Sequence, residues 1–540
     1  MYKRQESLLI SLPNTYFVDD TLILDVFYHG RPYHTTGFNG GLHIRSDVVF
    51  TSFDINGARY WFPCYDSPMD KATSELIVTV PQGFYTIANG ELVEFDTIGT
   101  RWSFHWYENY PIATYLISFA SANFLEFRDT VVLDSDTLPV FTWLLTTHQN
   151  YISYFNSVPE MITYYSQLFH KYPFVLEKFS NVDVPLGYAM ENQTNVFIDL
   201  NVGWSSLEYL IAHELSHQWW GDCVTLGTWK DIWLNEGFAT YCEALWAEHK
   251  EDTSGYHSYM RDIMDYYLWY EPYPPYPVYD PGSSGSELFS VVTYEKGASV
   301  LHMLRHILGD SIFFTALREY YNTFKYKNAV TNELKEIFES VGNTELSWFF
   351  DEWVYLPGHP CYNIVWSYKQ VNPPDYYLVN ITVYQTQSHD YGVPTYKMPI
   401  DIQITTSTGT NNFIVWDSLD TQNFNLYVKG EPISLEFDPN NWILCEKSIN
   451  TICENNRNVI VDVTPTIVNE KFTLRFSTID DEQIRVAIYD LSGRCVKNLL
   501  DGYFNKLKQT FIVRDIANGV YFIGVTTKNK FYTSKLIIVK

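Results

Sequence analysis

Two histidines four residues apart, with a glutamate directly after the first, are the residues of this 540-residue chain best placed to do chemistry. The stretch 211–222 reads IAHELSHQWWGD, so His213, Glu214 and His217 form the H-E-x-x-H arrangement that binds zinc and sets a carboxylate beside it. On a helix, residues four apart share a face. The two imidazoles then project toward one point, and Glu214 can reach a metal-bound water without occupying the metal. A catalytic zinc takes three protein side chains and keeps one position open, so a third ligand is required. Glu236 meets that requirement, in the run WLNEGFATY at 233–241, whose pattern continues as a helix to Ala247. Ordinary core histidines are the alternative, and a glutamate at this spacing argues against it. The expected cofactor is one Zn2+ per chain.

The elements that must hold these groups are also legible. Leu207, Leu210, Ile211 and Leu215 recur at helical spacing, and Ser205 with Glu208 predicts a capping box at the helix start. Glu243 lies two turns beyond Glu236 on the same helix, where it either holds a ligand histidine or is a solvated helical glutamate.

Four stretches together resemble the M1 zinc aminopeptidases of the gluzincin group: AHELSHQWWGD with WLNEGFATY, GYAMENQT at 187–194, TYEKGASVL at 293–301 and ARYWFPCYDSPMDKAT at 58–73. Their order and spacing match over roughly the first 360 residues. The resemblance implies that Tyr294 donates to the oxygen on which charge builds. It implies that Glu191 receives the free amino terminus of a peptide, with Ala189, Met190 and Asn192 beside it as substrate-binding positions. Glu214 keeps the role of base. Two departures bear on specificity: Tyr188 stands where the family has glycine, and Ser52 where it has a glutamine that contacts substrate. A gluzincin of other specificity, endopeptidase or epoxide hydrolase, and a noncatalytic scaffold are the competing readings. N-acetylated substrates and zinc analysis separate them.

Composition sets outer limits. A net charge of −27 argues against nucleic acid and anionic membrane surfaces as partners, and 43 tyrosines with 16 tryptophans argue against disorder. The seven cysteines form no metal spacing or even disulfide framework, although Cys445 and Cys453 could pair. No apolar run reaches the length of a membrane span, and the opening MYKRQESLLISLPNTYF has no signal-peptide core.

The expected fold class is multidomain α+β. Residues 1–142 read as an N-terminal β domain with strands at 22–28, 75–80, 101–106 and 114–119, short enough beside the family's own domain to imply truncation or a minimal version. Residues 143–357 read as mainly helical, with helical spacing at 151–172 and at 295–308, Gly309 as C-cap and a new helix opening at Asp310, and the resemblance implies that they form a thermolysin-like catalytic domain. Residues 358–447 read as a small β-sandwich with strands at 362–368, 377–384, 400–405, 413–416 and 433–437. After a polar stretch at 446–458, residues 459–540 form an Ig-like module whose RVAIYDLSGRCVKNL and NGVYFIGVTTKNKFYTSKLIIVK resemble the C-terminal sorting domain of type IX secretion substrates. That resemblance implies secretion machinery as a partner and a secreted or cell-surface location.

Overall fold

Alternation of apolar and polar side chains builds the first region. In the computed structural model, Phe104 and Trp106 point inward from the strand Arg101–Ala113 while His105 faces out. The structure describes every residue except 1, 5–6, 18–19, 31–39, 53–54, 56, 389, 391, 452–459, 492 and 528–530. Two small antiparallel sheets pack over one core. One is Gly41–Ile44, Val48–Ser52, Phe119–Ala122 and Tyr85–Ala88, and the other is Lys71–Pro81, Arg101–Ala113 and Glu91–Ile98. That core continues onto Val182, Met190 and Phe197 of the next sheet, so the β region is welded to the wall of the site.

Two expected strands here are corrected. Residues 22–28 take no regular structure, and Ile23 and Phe27 are 83% and 94% exposed; strand preference expresses packing against neighbours, and among the described residues this run pairs with no strand, although the Tyr28 hydroxyl donates to the Trp61 carbonyl at 2.9 Å. Residues 114–119 hold a single 3-10 turn, Thr114–Leu116, before the strand Phe119–Ala122. Asn89 satisfies the turn in place of a ladder, accepting from Ser118 N at 2.6 Å and donating to Leu116 O at 3.1 Å.

The five-stranded sheet that follows runs Phe124–Leu133, Asp136–Leu145, Phe179–Asp183, Asn195–Ile198, Ala189–Met190, with the last at its edge. Residue 142 thus falls inside a strand of this sheet. The helices follow: α1 Val158–Leu168, α2 Leu207–Ser216, α3 Trp233–Tyr270, α4 Gly285–Leu288, α5 Gly297–Leu308, α6 Asp310–Phe324, α7 Thr331–Gly342 and α8 Ser347–Phe350. The helical stretch expected at 151–172 divides into a 3-10 segment, Thr146–Phe155, and α1. Gly309 (φ 74°) ends α5 as its spacing predicts.

The capping box expected at α2 does not form. Ser206 is the N-cap without a side-chain bond, and Glu208 turns away to accept from Trp246 Nε1 at 3.1 Å and Lys250 Nζ at 3.1 Å. A buried indole N–H needs a partner more than a solvated helix end does. Helix α3 runs well past Ala247, broken in backbone angle at Glu251 and Asp252.

Beyond α8, Cys361–Val371, Tyr376–Gln385, Thr421–Lys429 and Glu446–Thr451 form one sheet of a sandwich, and Met398–Thr406, Gly409–Asp417 and Pro432–Phe437 the other. Glu446–Thr451 lies in the stretch whose polarity suggests a linker. It pairs in parallel with Cys361–Val371, a contact that local hydropathy does not signal. The sandwich and the helices share one hydrophobic core, whereas the C-terminal strands, from Ile460–Thr464 to Phe531–Ile538, enclose a core of their own around Leu474, Val486, Ile488 and Ile523. Cys445 carries a free thiol, and Cys453 lies outside the described residues. Among the described residues no helix is long and apolar enough to cross a membrane.

Candidate active site

His213 sits on the last turn of α2 and His217 caps its end, so the helix delivers both rings to one side. Their Nε2 atoms meet a single oxygen of α3: Glu236 Oε2 lies 3.4 Å from His213 and 3.5 Å from His217. The outer nitrogens are already engaged. His217 Nδ1 donates to the Trp220 carbonyl at 3.0 Å, which orients the ring and aims Nε2 at the shared point. His213 Nδ1 pairs with Glu243 Oε1 at 2.7 Å, and Glu243 also accepts from the Tyr259 hydroxyl. Glu243, ambiguous in the sequence, therefore orients His213.

The electrostatics of this cluster call for a cation. Glu191, Glu214, Glu236 and the two imidazoles are all buried, and one liganding atom from each of His213, His217 and Glu236, or of Glu191, Glu214 and His217, can lie within 4.8 Å of the others. Burial opposes charge on both imidazoles, yet the surrounding carboxylates hold them above the ordinary histidine range. Burial likewise opposes charge on Glu236, but the two imidazoles prevail and hold it at about 2. Burial pushes Glu214 up to about 8, with the imidazoles opposing and Glu191 and Glu236 adding to the rise. Two nitrogen lone pairs and a carboxylate oxygen converging in a dry site are the donor set of a divalent transition ion such as Zn2+, and the residues fit it.

Tyr294 enters from the other side on a five-residue π turn, Val292–Lys296, that precedes α5. Its ring stacks on His213 with centroids 5.9 Å apart. Burial and then Glu236, Glu191 and Glu214 raise the phenol far above its usual range, so it stays a neutral hydroxyl and a donor. What brings Tyr294 so near is a glycine contact. A Cβ at Gly237 would lie 2.9 Å from Gly297 backbone, and one at Gly297 would lie 2.9 Å from Gly237 Cα, so α3 and α5 cross at backbone distance.

Residues 1–116 match the model of the peptidase M1 N-terminal domain and residues 154–353 that of the peptidase family M1 domain, together more than half of the chain. The chain belongs to peptidase family M1. Residues 463–539 match the secretion system C-terminal sorting domain. Glutamyl aminopeptidase of Sus scrofa is 29% identical over 62% of this chain and 37% of its own length. Probable aminopeptidase 1 of Sulfurisphaera tokodaii is 29% identical over 58% of this chain and 42% of its own. The chain thus spans less than half of the length of these relatives. The crystal structure of Legionella pneumophila aminopeptidase A in complex with aspartic acid shares the fold at a TM-score of 0.62 and 16% identity, covering 76% of this chain and 49% of that one.

Within this M1 site the edge strand Ala189–Met190 leads to Glu191, and Ala189, Met190, Glu191, Glu236 and Tyr294 border one cavity of about 110 Å3. Asn192 turns instead to a smaller cavity shared with Ser52 and Trp61. Several supporting residues lie within the quoted motifs, but their contacts cannot be read from the sequence. Gln218 Nε2 donates to the Glu191 carbonyl at 3.2 Å and to Asp222 at 2.7 Å, while its Oε1 accepts from Thr194 N at 2.8 Å. One side chain so ties the end of α2 to the 191–194 loop. Asn235 Nδ2 donates to the Tyr115 hydroxyl at 3.1 Å, bringing a residue of the β region to the cavity. Lys71, from the 58–73 motif, donates to the carbonyls of Asp222 and Cys223 at 2.8 and 3.0 Å.

Proposed function

We propose that the protein is a zinc-dependent aminopeptidase that releases N-terminal residues from peptides with a free amino terminus. The observation that carries this is the convergence of His213 and His217 Nε2 on Glu236 Oε2, with Glu214 and Glu191 buried around the same point. His213, His217 and Glu236 would hold one Zn2+, which when bound polarises the scissile carbonyl and acidifies water.

Glu214 takes the proton from the attacking water and later hands it to the leaving amine, and its burial strengthens its hold on that proton. Tyr294, held neutral, donates to the carbonyl oxygen as charge builds there, an interaction worth about 3 kcal/mol in a water-poor site. Glu191 accepts from the substrate ammonium. A blocked terminus would leave that buried carboxylate unpaired, so selectivity for free amino termini follows. Ala189 and Met190 form the strand edge beside the peptide, and Asn192, beside the adjoining small cavity, is a further substrate-binding position. The C-terminal module, by its family match, supports export to the cell surface or beyond.

A fluorogenic aminoacyl panel, run with and without chelator and with N-acetylated counterparts, tests the reading. Turnover is expected only with a free amine and bound metal. Equal hydrolysis of the acetylated substrates would point to an endopeptidase, and persistence under chelation would remove the metal from the mechanism.

A further inference from the structure

Which first residue an aminopeptidase accepts is set by the cavity beside its amine anchor, and here that cavity lies beside Glu191. This inference rests on the aminopeptidase reading. In an amino-terminal residue the ammonium and the side chain branch from one Cα. If Glu191 takes the ammonium, the side chain enters the cavity that Glu191 borders. Four separate segments build its wall: Tyr115 from a 3-10 turn, Tyr188 and Met190 before and on the edge strand, Trp229 and Ile232 ahead of α3, and Phe289 after α4. Tyr115 and Trp229 pack edge to face at 5.4 Å. Among the described residues no lysine, arginine or histidine lines it, and the charged groups on its border, Glu191 and Glu236, are both acidic.

We infer that this is the first-residue pocket of an enzyme for neutral, apolar side chains of leucine or methionine size, that it rejects aspartate and glutamate, and that Tyr188 sets its upper size. The charge argument is direct. An acidic side chain would lose its hydration among aromatic rings, meet no cation, and sit beside two carboxylates. The size argument rests on volume. The cavity is about 110 Å3, smaller than a dry cavity of about 150 Å3 known to hold benzene, so an aliphatic side chain is favoured over an aromatic one. Tyr188 is the wall residue most open to change. Its backbone is fixed independently of its ring, because Gly187 N donates to Asp199 Oδ2 at 2.7 Å and the Tyr188 carbonyl accepts from Asp199 N at 3.2 Å. Shortening the side chain therefore enlarges the cavity without releasing the strand.

The test uses the full-length, zinc-loaded protein and 7-amido-4-methylcoumarin derivatives of Ala, Leu, Met, Phe, Trp, Asp and Glu. Leu and Met should give the highest kcat/KM, Asp and Glu about a hundredfold less or lower, and Phe and Trp should fall below Leu. Tyr188→Ala should raise the Trp to Leu ratio about tenfold, and Tyr188→Phe, which keeps the ring, should hold the original ratio. A Glu derivative turned over within about tenfold of Leu overturns the inference, as does a Trp to Leu ratio that Tyr188→Ala leaves unchanged. The wild-type ranking decides the charge and size claims even should the variant not fold. Loss of turnover across the whole panel would overturn the aminopeptidase reading and this inference together, whereas active but acid-selective enzyme would overturn this inference alone.

Discussion

Each polar atom of the site has one job, and single substitutions should separate them. On the proposed mechanism Glu214 serves the water and is not a ligand, so Glu214→Gln should keep one zinc per chain while lowering kcat by about 10^2 to 10^4-fold. Metal analysis beside kinetics checks it; wild-type turnover in that variant would remove Glu214 from the chemistry. Glu243 acts one contact further out, through His213 Nδ1 at 2.7 Å. Glu243→Ala should weaken zinc binding by about 10 to 100-fold and leave much of kcat at saturating zinc, as a competitive chelator titration would read. Far from the site, Asp417 offers a separate test. Gln385 donates to its Oδ2 at 2.7 Å, its Oδ1 has no partner among the described residues, and burial pushes the carboxyl up to about 6. The folded state then holds a proton that the unfolded chain has lost between about pH 4 and 6. This contribution to stability is fully present below about 4 and is lost as pH rises through 6, on the order of 1 to 2 kcal/mol after screening is allowed for. Thermal unfolding of Asp417→Asn across that window should show a flatter slope than the parent.

Between elements, the narrowest tolerance is the crossing of α3 and α5. Both Glu236 and Tyr294 depend on it, since Gly237 follows the one and Gly297 closes the π turn that carries the other. With 2.9 Å available on either side, Gly237→Ala must push the helices apart, at a cost of about 1 to 3 kcal/mol. A lowered unfolding temperature together with reduced zinc content is expected. A fall in temperature with zinc affinity intact would show that α2 alone sets the metal geometry. The π turn carries Tyr294, whose ring stacks on His213 with centroids 5.9 Å apart, and such single π turns are frequent at functional sites.

At the scale of the molecule, the catalytic helices and the sandwich share one hydrophobic core, while the C-terminal strands close around another. None of the site residues lies beyond Tyr294. Removing residues 459–540 should therefore leave aminoacyl hydrolysis by the purified enzyme intact and abolish export in a host with a type IX system. Di-, tetra- and decapeptide kinetics on both forms check it, and a large loss of activity confined to the truncated form would assign the module to the cleft and not to delivery.

The residue types at 213 and 217 are enough by themselves to set two imidazoles on one side of α2, because four-residue spacing on a helix places side chains on one face whatever the rest of the chain does, whereas Glu236 reaches them only through the packing of α3 on α2. Alternation is equally sufficient for most strands of the sandwich. It fails where a partner decides the outcome: 22–28 has the composition of a strand but no partner strand among the described residues, and Glu446–Thr451 looks like a linker but completes a sheet. The same division runs through the site. By sequence Glu243 reads equally well as a solvated glutamate, and only the packing of α2 against α3 decides for His213; Asn235 meets Tyr115 across 120 residues, and Lys71 reaches the 222–223 carbonyls across 151. Local periodicity follows from backbone geometry and is written in the chain. Long-range contacts depend on the path the chain takes, so the aromatic pocket, the helix crossing and the loop tied by Gln218 belong to the tertiary structure alone.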